Sequence, residues 1–478
     1  MPSRPRHIVV ILADDLGYGD MGWNNPDSRI PTPHLDRLAA EGMHFTDAHA
    51  GSSLCTPSRY NLLTGRYAWR SRLKKDIVWE WDGPLIEPDR PTLATLLRGQ
   101  GYRTACIGKW HLGWDWPTHD GTHPNDELPF GVPVRDVRQQ FGLNRIDLTS
   151  PLGGGPLACG FETYFGVDVP NFPPYGWIED DHLVGAFTVL KPDSMYGRAG
   201  WMTPGWTLEG MIPELTRRAV TFLTDSAEPG FLYFPLTSPH SPIVPNAPFL
   251  GRSGAGRYGD FVCEVDWVVG RIVDALERAG VRDDTLLLFT SDNGPEVRTP
   301  DDQGAYDRAR QYAHFSMGPL RGVKCDAWEG GHRVPMLASW PGVIAAGSRC
   351  DRLVGLGDLM ATCAEAVGAE MPPGAAEDSE SMLPLLRGAA RGARDFAIHH
   401  SAQGKFVVRR GDWVLIDAPT GDERGETDWF KAHRGYLPHD LPGELYNLRD
   451  DLAERRNLHA ERPDIVAELA AILQREKR

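Results

Sequence analysis

Three things are scarce in this chain of 478 residues, and each scarcity excludes a class of protein. No apolar run approaches the roughly 20 residues that cross a bilayer as a helix. The stretch from Ile8 to Ala13 follows a basic start, but it is short and ends in Asp14-Asp15 with no cleavage site. It reads as a first core strand and not as a leader. The chain is therefore expected to be cytoplasmic as it stands, and periplasmic or secreted if a leader has been trimmed. Basic charge is the second shortage: Lys and Arg number 50 against 65 Asp and Glu, a formal charge of −15. That excludes a nucleic-acid partner, because no basic field attracts phosphates. An anionic small substrate stays open, since local clusters override net charge. Cysteine is sparse as well, at seven residues without Cys-x-x-Cys spacing, so neither a disulfide framework nor a zinc cluster is expected.

What is present belongs to a globular α/β protein. Apolar strands are expected at His7–Ala13, Arg103–Gly108, Phe231–Thr237, Thr285–Ser291 and Arg333–Trp340. Helices are expected at Pro33–Gly42, with Thr32 as N-cap, at Leu208–Ser226 and at Tyr258–Ala279. This alternation predicts a layered fold around a large, mostly parallel sheet flanked by helices. In such sheets active groups gather at the carboxyl ends of strands, and Asp14-Asp15, Lys109, His240 and Asp292-Asn293 each follow an apolar run. From Trp114 to Gly205 the pattern gives way to glycine, proline and aromatics, which reads as ordered functional loop. Pro372–Glu377 reads as a linker. Short strands at 396–400, 406–409 and 413–417 and a helix at Pro463–Glu476 predict a small antiparallel sheet with a covering helix. The expected domains are 1–392 and 393–478.

The segment Ser53-Leu54-Cys55-Thr56-Pro57-Ser58-Arg59 through Leu62-Leu63-Thr64-Gly65 is the most informative. Pro57 suits a first helical position with Thr56 as N-cap, so Cys55 is expected just outside a helix N-terminus with Arg59 in the first turn. Amide donors, helix dipole and guanidinium then favour an ionised nucleophile there; a buried structural cysteine is the plain alternative. Three carboxylates and one amide oxygen, from Asp14, Asp15, Asp292 and Asn293, suit a hard divalent cation, with Asx turns and helix caps as the alternative.

The run from Cys55 resembles the maturation signature of the formylglycine-dependent sulfatases, Cys-x-Pro-x-Arg followed by two apolar residues and Thr-Gly. Gly101-Tyr102-Arg103-Thr104-Ala105-Cys106-Ile107-Gly108-Lys109-Trp110-His111 matches the second family signature. Ser238-Pro239-His240-Ser241-Pro242 resembles the Pro-His-x-Pro turn. Arg321-Gly322-Val323-Lys324, followed by Trp328-Glu329-Gly330-Gly331, matches the stretch of the last sulfate-binding lysine, with Val323 a mild departure. The agreement extends through Glu444-Leu445-Tyr446-Asn447-Leu448. The resemblance implies an alkaline-phosphatase-like fold and oxidation of Cys55 to formylglycine by a formylglycine-generating enzyme. It implies one Ca2+ (Mg2+ being possible) held by Asp14, Asp15, Asp292, Asn293 and modified Cys55. It further implies that Arg59 holds the hydrated aldehyde, that Lys109 and Lys324 contact sulfate, that His111 is a base and that His240 donates to the leaving alcohol. The implied substrate is a small-molecule or oligosaccharide sulfate ester, with neither membrane nor nucleic acid as partner. A phosphonate monoester or phosphodiester hydrolase of the same fold, and a non-catalytic sulfate-ester-binding protein, are the competing readings. Trp79, Trp81, Trp114, Trp116, Trp177, Trp201 and Trp206, with His119, His123, Asn171 and His182, are candidate sugar contacts.

Overall fold

A computed structural model describes residues 4–299, 303–392 and 394–477. Strand β1 (His7–Ala13) is buried along its whole length, as its nearly continuous apolar run requires. Successive side chains point to opposite faces, so β1 feeds two cores. Ile8, Val10 and Leu12 join one core, with α2 (Cys55–Thr64), α3 (Leu93–Gly99) and α7 (Asp358–Val367). Val9, Ile11 and Ala13 join the other, with α1 (Pro33–Glu41), α5 (Met211–Thr224) and α6 (Gly256–Arg278). The longest helix in the stretch from 114 to 205 is α4 (Arg135–Asn144), beside single turns at Pro124–Glu127 and Gly155–Ala158.

The main sheet has ten strands. Beyond β1 they are β2 (Met43–Phe45), β3 (Arg103–Lys109), β4 (Thr163–Val167), β5 (Ile178–Glu179) and β6 (His182–Leu183). The rest are β7 (Gly230–Pro235), β8 (Thr285–Ser291), β9 (Met336–Ser339) and β10 (Ser348–Cys350). The order is β10-β2-β9-β8-β1-β7-β3-β4-β5-β6. The central strands β8, β1, β7, β3 and β4 are mutually parallel. The strand expected at Arg333–Trp340 is shorter and runs antiparallel to β8. Pro335 has no amide to extend the ladder, and Val334 N donates instead to Ala48 O at 2.9 Å.

The second sheet is β11 (Phe396–His400), β12 (Phe406–Arg410), β13 (Trp413–Ile416) and β14 (Glu444–Asn447), antiparallel and in chain order. Helix α8 (Pro463–Glu476) covers one face through Leu469, Ile472 and Leu473. The other face packs Val407, Val414 and Tyr446 against Trp328. In the stretch read as a linker, 372–377, Pro372, Pro373, Gly374 and Glu377 are exposed, while Ala375 and Ala376 are buried and Glu377 pairs with Arg90 at 3.0 Å. The expected boundary at 392/393 falls beside Ala393, outside the described residues.

Candidate active site

Register brings the polar groups together. In the parallel pair of β1 and β8, Ala13 lies opposite Ser291, so Asp14 and Asp292 emerge side by side one residue later. Asp14 N donates to Ser238 O at 3.0 Å, which ties the loop carrying His240 to the same edge. Lys109 ends β3. Two non-glycine residues here adopt left-handed backbone, Asp15 (φ 65°) and His111 (φ 57°). Such conformations cost about 1–3 kcal/mol and persist where the surroundings enforce them.

Helix α2 begins at Cys55 with Leu54 as N-cap, so the cysteine is its first residue and does not precede it. Thr56 does not cap: its hydroxyl donates to His111 O at 3.1 Å and accepts from Val78 N at 3.3 Å. Arg59, one turn on, shares the face of Cys55. Its guanidinium donates to Asp292 Oδ2 at 3.0 and 2.7 Å and to Lys109 O at 3.2 Å, and lies 3.4 Å from Asp14 Oδ1. Arg59 is thus held among the carboxylates, chiefly by Asp292, on the same helix face as Cys55.

Lys109 Nζ donates to Asp14 Oδ2 at 2.7 Å. Lys324 Nζ donates to Asp15 Oδ2 at 2.8 Å and lies 3.3 Å from Glu296 Oε2. Asn293 Nδ2 donates to Asp15 Oδ1 at 2.7 Å, and Asp15 N to Asp292 Oδ1 at 3.2 Å. His240 Nε2 is 3.7 Å from Asp15 Oδ2, while its Nδ1 faces Ser241 O. His111 Nε2 donates to Val78 O at 3.0 Å, which leaves Nδ1 as the lone-pair nitrogen.

The electrostatics follow from burial and charge. Burial by itself raises Asp14, yet the charges of Lys109, His240 and Arg59 outweigh it and hold this carboxyl far below the usual range. Burial, reinforced by Asp14, raises Asp292 to about 7. Burial, then Lys109 and Arg59, push His111 well below the ordinary imidazole value, so it stands neutral. Burial and Lys324 lower His240 as well. Burial disfavours the Lys324 ammonium, but Asp15 and Glu296 overcome it and raise Lys324. For Cys55 burial dominates and pushes the thiol up, against the ionised state expected from the helix terminus. An unmodified thiol in this pocket is a poor nucleophile.

The donor set fits a hard cation. Asp14, Cys55 and Asp292 offer ligand atoms within 4.8 Å of one another. Asp14 Oδ1 and Asn293 Oδ1 are buried without a hydrogen-bond partner among the described residues, which is what oxygens reserved for an ion look like.

The family model described as Sulfatase matches residues 6–369. The chain belongs to the sulfatase family. An N-acetylgalactosamine-6-O-sulfatase of Bacteroides thetaiotaomicron is 32% identical, with 99% of this chain and 93% of that protein covered. Arylsulfatase A of Bos taurus is 34% identical, with 95% of this chain and 85% of the relative covered. A solved structure from work on glycosaminoglycan metabolism by Bacteroides thetaiotaomicron superposes with a TM-score of 0.83 at 28% identity. That match covers 99% of this chain and 100% of the other. The fold is accordingly the alkaline-phosphatase-like one, and the relatives are sulfuric ester hydrolases.

The sulfatase pocket is a cavity of about 740 Å³ with Cys55, His111, His240 and Lys324 among its lining residues. One wall stacks Trp79 on Phe172, with the Arg198 guanidinium over both rings at 4.6 and 4.9 Å. Of the aromatics and polar groups proposed as sugar contacts, Trp79 and Asn171 line this cavity. Trp81, Trp114 and Trp116 pack into the core instead, and His119, His123 and His182 are exposed elsewhere. Trp206 lines a neighbouring cavity, and Trp177 stacks on Phe165. Sequence reasoning missed Glu296, the partner of Lys324, and Asp168, which accepts from His111 N at 3.2 Å. Asp168 follows strand β4 directly, and that acid-after-apolar-run signal singled out Asp14.

Proposed function

We propose that the chain hydrolyses sulfate monoesters of carbohydrates at a chain end, and aryl sulfates as well, using formylglycine made from Cys55 beside one Ca2+. The observation that carries this reading is the seating of Cys55 within ligand distance of Asp14 and Asp292, in a pocket shared with His111, His240 and Lys324. Formylglycine and calcium are typical of the family. The cation would be held by Asp14, Asp15, Asp292, Asn293 and modified Cys55. It supplies a Lewis acid, and the hydrated aldehyde supplies an oxygen nucleophile with a spare hydroxyl.

The remaining chemistry falls to the chain's own residues. Lys109 and Lys324 offset the charge on the sulfuryl oxygens as it redistributes in the transition state. Arg59 positions Asp292. His111, neutral and with Nδ1 unprotonated, takes a proton, and Asp168 fixes its backbone. His240 and Lys324 converge on Asp15 Oδ2, and we assign the leaving-group proton to this pair. A cavity of about 740 Å³ suits one or two sugar rings, with Trp79 and Phe172 as the stacking wall.

The test is a panel of position-specific sulfated mono- and disaccharides, an aryl sulfate and a phosphodiester, run on protein made beside the maturation enzyme. Sulfate release from a saccharide is expected, with Trp79→Ala raising KM for the saccharide about tenfold and for the aryl sulfate much less. A phosphodiester rate above every sulfate rate, or an unmodified Cys55 peptide by mass spectrometry in active protein, would overturn the reading.

A further inference from the structure

A second cluster of buried titratable groups lies where β11 meets the segment leading into α2. His49, His332 and His399 come from three distant parts of the chain and are all shut off from solvent. Their hydrogen bonds count protons. His49 Nε2 meets Asp47 Oδ1 at 2.9 Å, and His332 Nε2 meets Ala327 O at 3.2 Å. Carboxylate and carbonyl oxygens only accept, so both Nε2 atoms carry hydrogen. Asp47 is anionic, with Arg333 at 3.3 Å and Arg409 at 3.1 Å. Two neutral imidazoles hold two protons, and both are now placed. Yet His49 Nδ1 and His332 Nδ1 face each other at 3.1 Å. Two lone pairs at that distance repel; with one more proton between them the contact becomes a charge-assisted hydrogen bond.

We propose that His49 and His332 are positioning residues for the nucleophile: the pair holds three protons, the third lying on the Nδ1···Nδ1 contact, and this locked pair fixes the Ser52–Cys55 turn. Burial and the neighbouring His49 keep His332 well below the ordinary imidazole value, so His332 is the accepting ring of the pair. Burial, His332 and His49 do the same to His399. The groups facing the pair from the packed elements are Asp47, Glu329, Arg333, Arg409 and His399, with Glu454 behind Glu329. The three rings are a poor metal site, although their nitrogens lie within 4.8 Å. His332 and His399 are stacked 4.2 Å apart with planes 11° from parallel, and no ion can lie in both ring planes.

The link to the nucleophile is a short chain of hydrogen bonds. His399 Nδ1 donates to Ala50 O at 2.9 Å, and Ala50 N donates to His332 O at 2.8 Å. His400 O accepts from Ser52 Oγ at 2.8 Å and from Ser53 N at 3.2 Å. Cys325 N, next to Lys324, donates to Ser53 O at 2.9 Å. The turn before Cys55 is thus clamped between β11 and the Lys324 loop, and the histidine pair stacks on His399, whose ring holds Ala50 in that clamp.

The first test needs no turnover, so it stands whether or not the proposed reaction is right. Substrate-free protein labelled with 15N-histidine, assigned through His49→Asn and His332→Asn, is expected to show one ring doubly protonated and hydrogen-bonded to the other at about pH 7. Two neutral rings at that pH would overturn the proposal. The second compares His332→Gln, which returns an acceptor to His49, with His332→Leu, which does not. The leucine variant is expected to lose about tenfold or more in kcat with KM nearly unchanged, and glutamine to recover most of it. Equal kcat in the two variants would also overturn it. Should the leucine variant not fold, the NMR measurement still decides.

Discussion

Replacing Lys109 by methionine separates the two tasks given to this residue. Lys109 and Asp14 are both fully buried, with Nζ 2.7 Å from Oδ2. Asp14 has Lys109 as its nearest cation, with Arg59 3.4 Å from its other oxygen, so removing the lysine leaves a buried carboxylate short of its main counter-charge. Breaking a buried pair in this way costs about 3–5 kcal/mol of stability. Removing one preorganised donor to the transition state costs about 2.7–4 kcal/mol, or roughly 100- to 1,000-fold in kcat. The assays are urea unfolding without added divalent cation and kcat on an aryl sulfate. The double variant Lys109→Met/Asp14→Asn sharpens them. Neutralising the orphaned carboxylate should recover more than half of the lost stability and none of the lost activity. A Lys109→Met enzyme with less than a tenfold loss in kcat, or a double variant no more stable than the single one, would refute the reasoning.

Four further outcomes are expected. Cys55→Ser should complete one turnover and stop, because a serine sulfate lacks the second hydroxyl that expels the sulfuryl group; intact mass should rise by one SO3, and steady turnover would contradict this. Chelation of divalent cations should abolish activity, Ca2+ should restore it, and Asn293→Ala should weaken Ca2+ binding by calorimetry at least about tenfold. Burial lowers the His400 imidazole to about 4. The unfolded chain therefore binds the proton first: the stability contribution is complete above about pH 6.5, shrinks as pH falls towards 4 and reaches about 3 kcal/mol of loss there. His400→Asn should flatten that acid limb in urea titrations, and an unchanged limb would count against the assignment.

Much of the scaffold was legible before the structure because it depends on local pattern. The strands His7–Ala13 and Thr285–Ser291 and the helix Pro463–Glu476 have the expected limits. Each has a strong apolar period bounded by charge or proline, and such signals do not need distant partners. The motif residues Cys55, Arg59, Lys109, His111, His240 and Lys324 were legible for another reason: each lies in a short local run that resembles a sulfatase signature.

What the tertiary structure alone decided are the relations between distant segments. The direction of β9, the pairing that sets Asp14 beside Asp292, and the fourth strand β14 depend on partners far along the chain. The left-handed turns at Asp15 and His111 are enforced by surroundings against the preference of those residues. Which tryptophans face the cavity, and the meeting of His49 with His332 and His399, follow from packing. A sequence specifies its periods and its chemistry residue by residue, whereas proximity is created when the sheet closes and burial assigns each polar group its partner.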